Sequence, residues 1–301
     1  MDTLLDPLER LSTLSVSKSD WPLTNAAGAA LSFDPVLILE LLALGLVAGF
    51  LAGLLGIGGG MMMVPFLTLI MSHRGVDAGM AVKMAIATAM ASVMFTSLSS
   101  LRAHHKRGAV RWDLVRGMAP GLIVGGLLSG AGIFSIIKGN SLAFIFAGFV
   151  GFSAVQMLRN KKPKPGREMP GAAGQVSAGV GIGMLSGLVG AGGAFMSVPF
   201  MTRGNVTMHS AVATSAAIGF PVALANTLGY VIGGWSLPET VPYAYGFLYL
   251  PALLVISSTS VLMAPIGART AHAMDVSQLK RTFACLLFLI AGYMLYKGLT
   301  A

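Results

Sequence analysis

Apolar stretches dominate this chain, and polar residues collect in the short gaps between them. The runs cover about residues 36–72, 80–101, 117–137, 141–158, 172–202, 210–234, 243–268 and 282–297. Most approach the roughly 20 residues that carry a helix across a bilayer. The first and fifth runs are longer. Each is interrupted by glycines, at Gly56-Ile57-Gly58-Gly59-Gly60 and at Gly190-Ala191-Gly192-Gly193. The pattern predicts an all-α, polytopic transmembrane bundle.

Composition sharpens that class. Of 301 residues, 55% are hydrophobic and 10% are charged, with a mean hydropathy of +0.78. Soluble domains carry about 25% charged residues. A chain this poor in charge cannot cover a water-facing surface, so lipid must replace water around most of it. The 39 glycines fit helices whose backbones approach closely. The net charge is +9, but the basic residues sit in short loops, where they set topology, and form no nucleic-acid footprint. The single cysteine, Cys285, excludes an intramolecular disulfide and a Cys-based metal site.

Residues 1–35 form an extramembrane N-terminal segment. Asp2, Asp6 and Glu9 stand where a signal peptide would be basic. Asp6-Pro7-Leu8-Glu9 reads as a helix start, with Asp6 as cap and Pro7 in the first turn. Leu4, Leu8 and Leu11 then share a face. The segment is either a short amphipathic helix on the membrane surface or a disordered tail.

The two glycine clusters belong to an internal repeat. Gly45, Gly49, Gly53, Gly56, Gly58, Gly59, Val64, Pro65 and Phe66 recur 134 positions later as Gly179, Gly183, Gly187, Gly190, Gly192, Gly193, Val198, Pro199 and Phe200. Ala85-Ile86-Ala87-Thr88-Ala89 recurs as Ala211-Val212-Ala213-Thr214-Ser215. The chain is read as repeat 36–160, a basic linker 161–173, and repeat 174–301.

Loop charge orients the two copies. Arg102, Lys106, Arg107, Arg111 and Arg116 crowd the 102–116 loop, whereas its counterpart 234–243 has no Lys or Arg and carries Glu239. The 159–168 and 269–281 segments are basic. The positive-inside rule places these three basic loops in the cytoplasm, and the N-terminus and 234–243 in the periplasm. Equivalent loops then face opposite sides, and the repeats are inverted. An odd number of crossings per repeat requires one apolar run to turn back. The expectation is a glycine-broken, re-entrant U-shaped helix pair followed by three membrane-crossing helices in each copy, with Pro65 and Pro199 in the first turn of the returning half-helix.

Such an architecture points to a secondary transporter with a site at mid-membrane. Half-helix N-termini present free N–H groups and partial positive charge, which suits an anion. The backbone at Gly58, Gly59, Gly60 and Met61, and at Gly192, Gly193, Ala194 and Phe195, is the predicted binding site. Thr88 and Thr214 are symmetry mates with hydroxyls to donate, or they bond their own helices. Ser215 and Asn226 are further candidates of that kind. Lys83 and His209 are mates that suit the vestibules, or snorkel at helix ends. The spaced glycines Gly45-Gly49-Gly53 and Gly179-Gly183-Gly187 read as packing faces. The predicted spans hold no Asp or Glu away from their ends, which argues against a cation as cargo. No catalytic constellation, metal cluster or cofactor motif is found, and His104-His105 reads as part of a basic loop. The expected partners are a small anion and the lipid bilayer, with no nucleic acid.

The paired glycine stretches Gly45–Phe66 and Gly179–Phe200, the Ala-Thr segments at Thr88 and Thr214, and the loop Lys106-Arg107-Gly108-Ala109-Val110 resemble the TauE/SafE family of sulfite-exporter-like permeases. The resemblance covers about residues 40–299. It implies a multi-pass bacterial inner-membrane transporter, and a sulfur-containing anion such as sulfite or an organosulfonate as exported cargo. An anion channel on the same fold, or a non-transport membrane subunit or enzyme handling a sulfur compound, are the alternatives. Ala194 stands where the first copy has Gly60, and Ala89 where the second has Ser215, so the half-sites are not equivalent.

Overall fold

A computed structural model describes residues 34–55, 59–159, 168–235, 241, 243–270 and 276–300. The expectations for residues 1–33, for Gly58, for Glu239 and for most of the basic linker lie outside the described residues. Among the described residues, the long apolar runs fold as ten helices with one small strand pair. Helix α1 spans Pro35–Leu55, α2 Gly60–His73 and α3 Ala78–His105. Helix α4 spans Trp112–Leu127 and continues through a π-helical turn at Leu128–Ile133 to Ile136. Then come α5 (Gly139–Arg159), α6 (Ala172–Val189), α7 (Ala194–Arg203) and α8 (Met208–Gly234). Strands β1 (Ala244–Tyr245) and β2 (Leu248–Tyr249) form an antiparallel hairpin before α9 (Leu250–Thr270) and α10 (Val276–Thr300). Among the described residues, seven helices are long and apolar enough to cross a membrane. The chain is therefore an all-α polytopic bundle.

The burial pattern is that of a protein dissolved in lipid. Leu39, Phe152, Ile232, Leu254, Leu262 and Leu289 point outward, while Thr88, Ser92, Thr96, Ser129, Thr214 and Asn226 are buried inside. Many of the buried hydroxyls bond a carbonyl one turn back, as Ser92 does to Thr88 and Thr68 to Val64, which keeps them satisfied away from water.

The glycine faces set which helices pair. Gly45, Gly49 and Gly53 lie on the backbone of α9 at Ile256, Ser260 and Ala264, in that order. Gly179 and Gly183 lie on the backbone of α4 at Met118 and Leu122, in that order. A side chain at any of these glycines would strike main chain, so the close approach needs them. Helix α1 thus pairs with α9, and α6 with α4. Helix α3 also runs beside α9 in the same direction: Thr96 and Ser260 share a hydrogen bond (2.8 Å), Ser99 donates to the Val261 carbonyl (2.8 Å), and Arg107 to the Ala268 carbonyl (3.1 Å). Helix α8 runs beside α4 likewise, with Gly126 against Asn226 and Gly130 against Gly229. Helix α1 therefore points the same way as α3, and α6 the same way as α8. The short helices α2 and α7, at about 21 and 15 Å, turn back between them.

The prolines are displaced from their expected place. Pro65 and Pro199 are each the sixth residue of α2 and α7, in the second turn rather than the first. The helices begin at once after their glycine caps. Each proline therefore removes the amide that would have bonded the carbonyl four residues earlier, at Met61 and at Phe195.

Candidate functional site

Both helix breaks use the same backbone device. Gly59 caps α2 with φ 71° and ψ −13°, and Gly193 caps α7 with φ 77° and ψ −13°. This left-handed conformation is open to glycine and strained for other residues. The Gly59 carbonyl accepts from the amides of Met62 and Met63, and the Gly193 carbonyl from those of Met196 and Ser197. In helices begun this way, the first amides, of Gly60 and Met61 and of Ala194 and Phe195, have no acceptor within the helix.

The two turns meet. Gly60 sits directly on the carbonyl of Gly190, and Gly190 in turn packs on Val64 and Ile86. Gly190 closes α6 with φ 68°. Glycine is required on both sides of this contact, because a Cβ on Gly60 would overlap the carbonyl oxygen.

Beside the α6–α7 turn lies a crevice of about 230 Å³, its open mouth included. Thr96, Ser97 and Ser100 of α3, Ser215 of α8 and the backbone of Gly192 supply its polar lining, and Ala52, Ala216 and Gly219 keep it open. Ser97 donates to the Met94 carbonyl (3.0 Å), and Ser215 to the Val212 carbonyl (2.8 Å). The Ser100 hydroxyl is buried without a partner. The crevice offers hydroxyls and backbone and contains no charged side chain. The other turn borders a different space of about 200 Å³, lined by Leu51, Gly59, Met61, Met62 and Phe283, which is apolar.

The structure brings Gly192 and Ser215 into the polar crevice, next to the Gly193 cap, buried Ala194 and half-buried Phe195. Gly59, Gly60 and Met61 lie at the touching turn, and Met61 faces the apolar space. Thr88 and Thr214 are fully buried, and each accepts a backbone hydrogen bond from the other half of the chain: Thr88 from Tyr249 and Thr214 from Arg111, both at 3.0 Å. Asn226 stands apart, its amide nitrogen directed at the carbonyls of Val222 (2.8 Å) and Gly183 (3.4 Å). Lys83 donates to the Ser135 carbonyl (3.0 Å) and lies 5.2 Å from the centre of the Phe247 ring. His209 is exposed in the first turn of α8. These two mates therefore occupy unlike surroundings.

Sequence reasoning missed Thr96, Ser97 and Ser100. The signal was present in Thr96-Ser97-Leu98-Ser99-Ser100, four hydroxyls in five residues of an otherwise apolar run.

A family model described as sulfite exporter TauE/SafE matches residues 41–294. The chain belongs to the TauE/SafE family. A probable membrane transporter protein of Haemophilus influenzae is 34% identical over 86% of this chain and 98% of its own length. A probable membrane transporter protein of Methanocaldococcus jannaschii is 25% identical over 88% of this chain and 98% of its own. Another, of Bacillus subtilis, is 28% identical over 66% and 80%. No solved structure matches the chain. Membership of TauE/SafE, with the apolar helices, makes this a multi-pass membrane transporter for a small molecule. The TauE/SafE match takes in both glycine turns and the hydroxyl crevice beside the second.

Proposed function

We propose that this transporter exports a small sulfur oxyanion, with sulfite the first cargo to test, across a bacterial inner membrane by alternating access. The observation that carries the reading is the contact of Gly60 with the Gly190 carbonyl beside the hydroxyl-lined crevice. It joins two glycine-capped half-helices at one place, where their N-termini favour negative charge without a buried cation. The amides of Ala194 and Phe195 and the hydroxyls of Ser97, Ser100 and Ser215 are the proposed donors. Rotation of a serine hydroxyl away from its own helix lets it donate to an occupant. The first turn, at Gly59, Gly60 and Met61, meets the second through Gly190 and borders a separate apolar space, so it supports the site rather than lining the crevice.

The two halves, 36–160 and 174–301, are proposed to be inverted copies. The pairings of α1 with α9 and α6 with α4 support this, because each half supplies the equivalent partner to the other. The basic 102–116 loop is proposed to be cytoplasmic, and the 234–243 loop periplasmic. Sulfite as cargo rests on the family description.

Flux into or out of proteoliposomes decides the matter. Saturable sulfite movement that other small sulfur anions compete with is the expected result. Absence of movement for sulfite, thiosulfate and simple sulfonates alike would remove the proposal, and fluxes at channel rates would replace alternating access by a pore.

A further inference from the structure

The oxygens beside Gly187 have the wrong polarity for an anion site. Asn226 is fully buried, and its amide nitrogen is committed to the Val222 and Gly183 carbonyls. Turning the amide over would set its oxygen against those two carbonyls, so the oxygen is the end left over. That oxygen, Oδ1, has no hydrogen-bond partner within the protein. The hydroxyl of Ser129, in the π-helical turn of α4, is also fully buried and also lacks one. Both crowd the Cα of Gly187: a side chain there would collide with each of them. One small occupant can therefore touch both. Two stranded oxygens are a costly arrangement inside a membrane, where water does not relieve them.

The surroundings fix the sign of that occupant's charge. Helix α6 ends at Val189, two residues beyond Gly187, and a helix C-terminus carries partial negative charge. The Gly183 carbonyl is taken up by its own helix and the Asn226 amide, whereas the Gly187 carbonyl, at the end of α6, holds the Tyr230 hydroxyl and keeps a second lone pair. The cluster presents three acceptor oxygens, Asn226 Oδ1, Ser129 Oγ and the Gly187 carbonyl, of which only the Ser129 hydroxyl can also donate, and no spare N–H. A divalent ion would call for carboxylates, and none of these residues supplies one. Neutral oxygens at a helix C-terminus suit a monovalent cation. A π-helical turn, which brings Ser129 here, often marks such a functional interruption.

We infer that Asn226 Oδ1 and Ser129 Oγ form the core of a sodium-class monovalent cation site between α4, α6 and α8. Ser186, adjacent to Gly187, packs beneath Gly193, so the cation site and the α6–α7 turn share one short piece of chain. The corresponding glycine of the first half, Gly53, instead has the main chain of α9 at Ala264 and Ala268 as its nearest neighbours. The cation site does not depend on the identity of the cargo.

Thermal unfolding of the full-length protein in detergent tests this without any substrate. Melting is compared in sodium, potassium and N-methylglucamine chloride at equal ionic strength. Sodium is expected to raise the melting temperature saturably, by roughly 5–10 °C at a hundredfold excess over its dissociation constant. N-methylglucamine is expected to do nothing. Ser129→Ala and Asn226→Leu lose the sodium response, Asn226→Asp moves its midpoint to lower concentration, and Cys285→Ser leaves it unchanged. Should Asn226→Leu fail to fold, the other two site variants carry the test. Equal melting in all three salts means that a buried water satisfies the oxygens and overturns the inference. A sodium response that survives Ser129→Ala with its midpoint unmoved in Asn226→Asp overturns it as well.

Discussion

The backbone amide of Tyr249 donates to the hydroxyl of Thr88, and the amide of Arg111 donates to Thr214, each over 3.0 Å. Tyr249 immediately precedes α9 and Arg111 immediately precedes α4. Each threonine therefore satisfies the entry of a helix that belongs to the other half. Their role as cross-half acceptors is a stability role first. Thr88→Val keeps the shape and strands the buried Tyr249 amide, which costs about 1–3 kcal/mol, whereas Thr214→Val strands the partly exposed Arg111 amide and costs less. Thermal melts should show a lower midpoint for both valine variants and a near-normal one for Thr88→Ser. A Thr88→Val protein that melts like the parent would contradict this.

The glycine caps make a sharper prediction. Gly59→Ala and Gly193→Ala force a Cβ into a left-handed conformation at about 1–2 kcal/mol each. The larger Gly59→Leu and Gly193→Leu should still insert as helical bundles, by circular dichroism, and lose the thermal stabilisation that sulfite confers on the parent. If both leucine variants respond to the anion as the parent does, the α2 and α7 N-termini are not the binding site.

Ser100 is the cleanest probe of the crevice, because its hydroxyl has no other partner. Ser100→Ala should weaken anion binding by about 5- to 10-fold, the value of one lost hydrogen bond. Ser100→Leu should fill the space and abolish flux in proteoliposomes while leaving the melting temperature close to the parent's. Unchanged flux in the leucine variant would exclude the crevice from the path.

Orientation can be read with a membrane-impermeant thiol reagent on intact cells. In a Cys285→Ser background, a cysteine at exposed Tyr243 should label from outside and one at exposed Lys106 only after the membrane is opened. Labelling of both from the same side would refute the inverted arrangement of the halves.

What sequence could and could not disclose follows from the physics of each position. The glycine turns were legible because a positive φ and a backbone-on-backbone contact both demand glycine, so Gly59 and Gly193 recur in register. The spaced glycines were legible as packing faces, but not their partners: nothing in the order of residues says that Gly49 meets Ser260. Thr88 and Thr214 stood out as mates, whereas their donors lie 161 and 103 positions away. Asn226 was visible as a polar residue in an apolar helix. Only packing reveals that its nitrogen is occupied and its oxygen is not. Pro65 and Pro199 suit a first turn because they follow the glycines closely and a missing N–H does no harm there. The left-handed cap starts the helix at once instead, which moves both prolines one turn inward.

Because α1 is locked onto α9 and α6 onto α4, the seam along which this molecule can part does not follow the linker between its two sequence halves. Helices α1 and α9 lie on one side and α4 and α6 on the other, with α3 and α8 packed against each other between them. The chain passes between the two sides at Lys106–Arg111. Under the proposed alternating access this connection takes up the movement, and a cross-link that fixes it should arrest flux without touching a proposed anion-binding group.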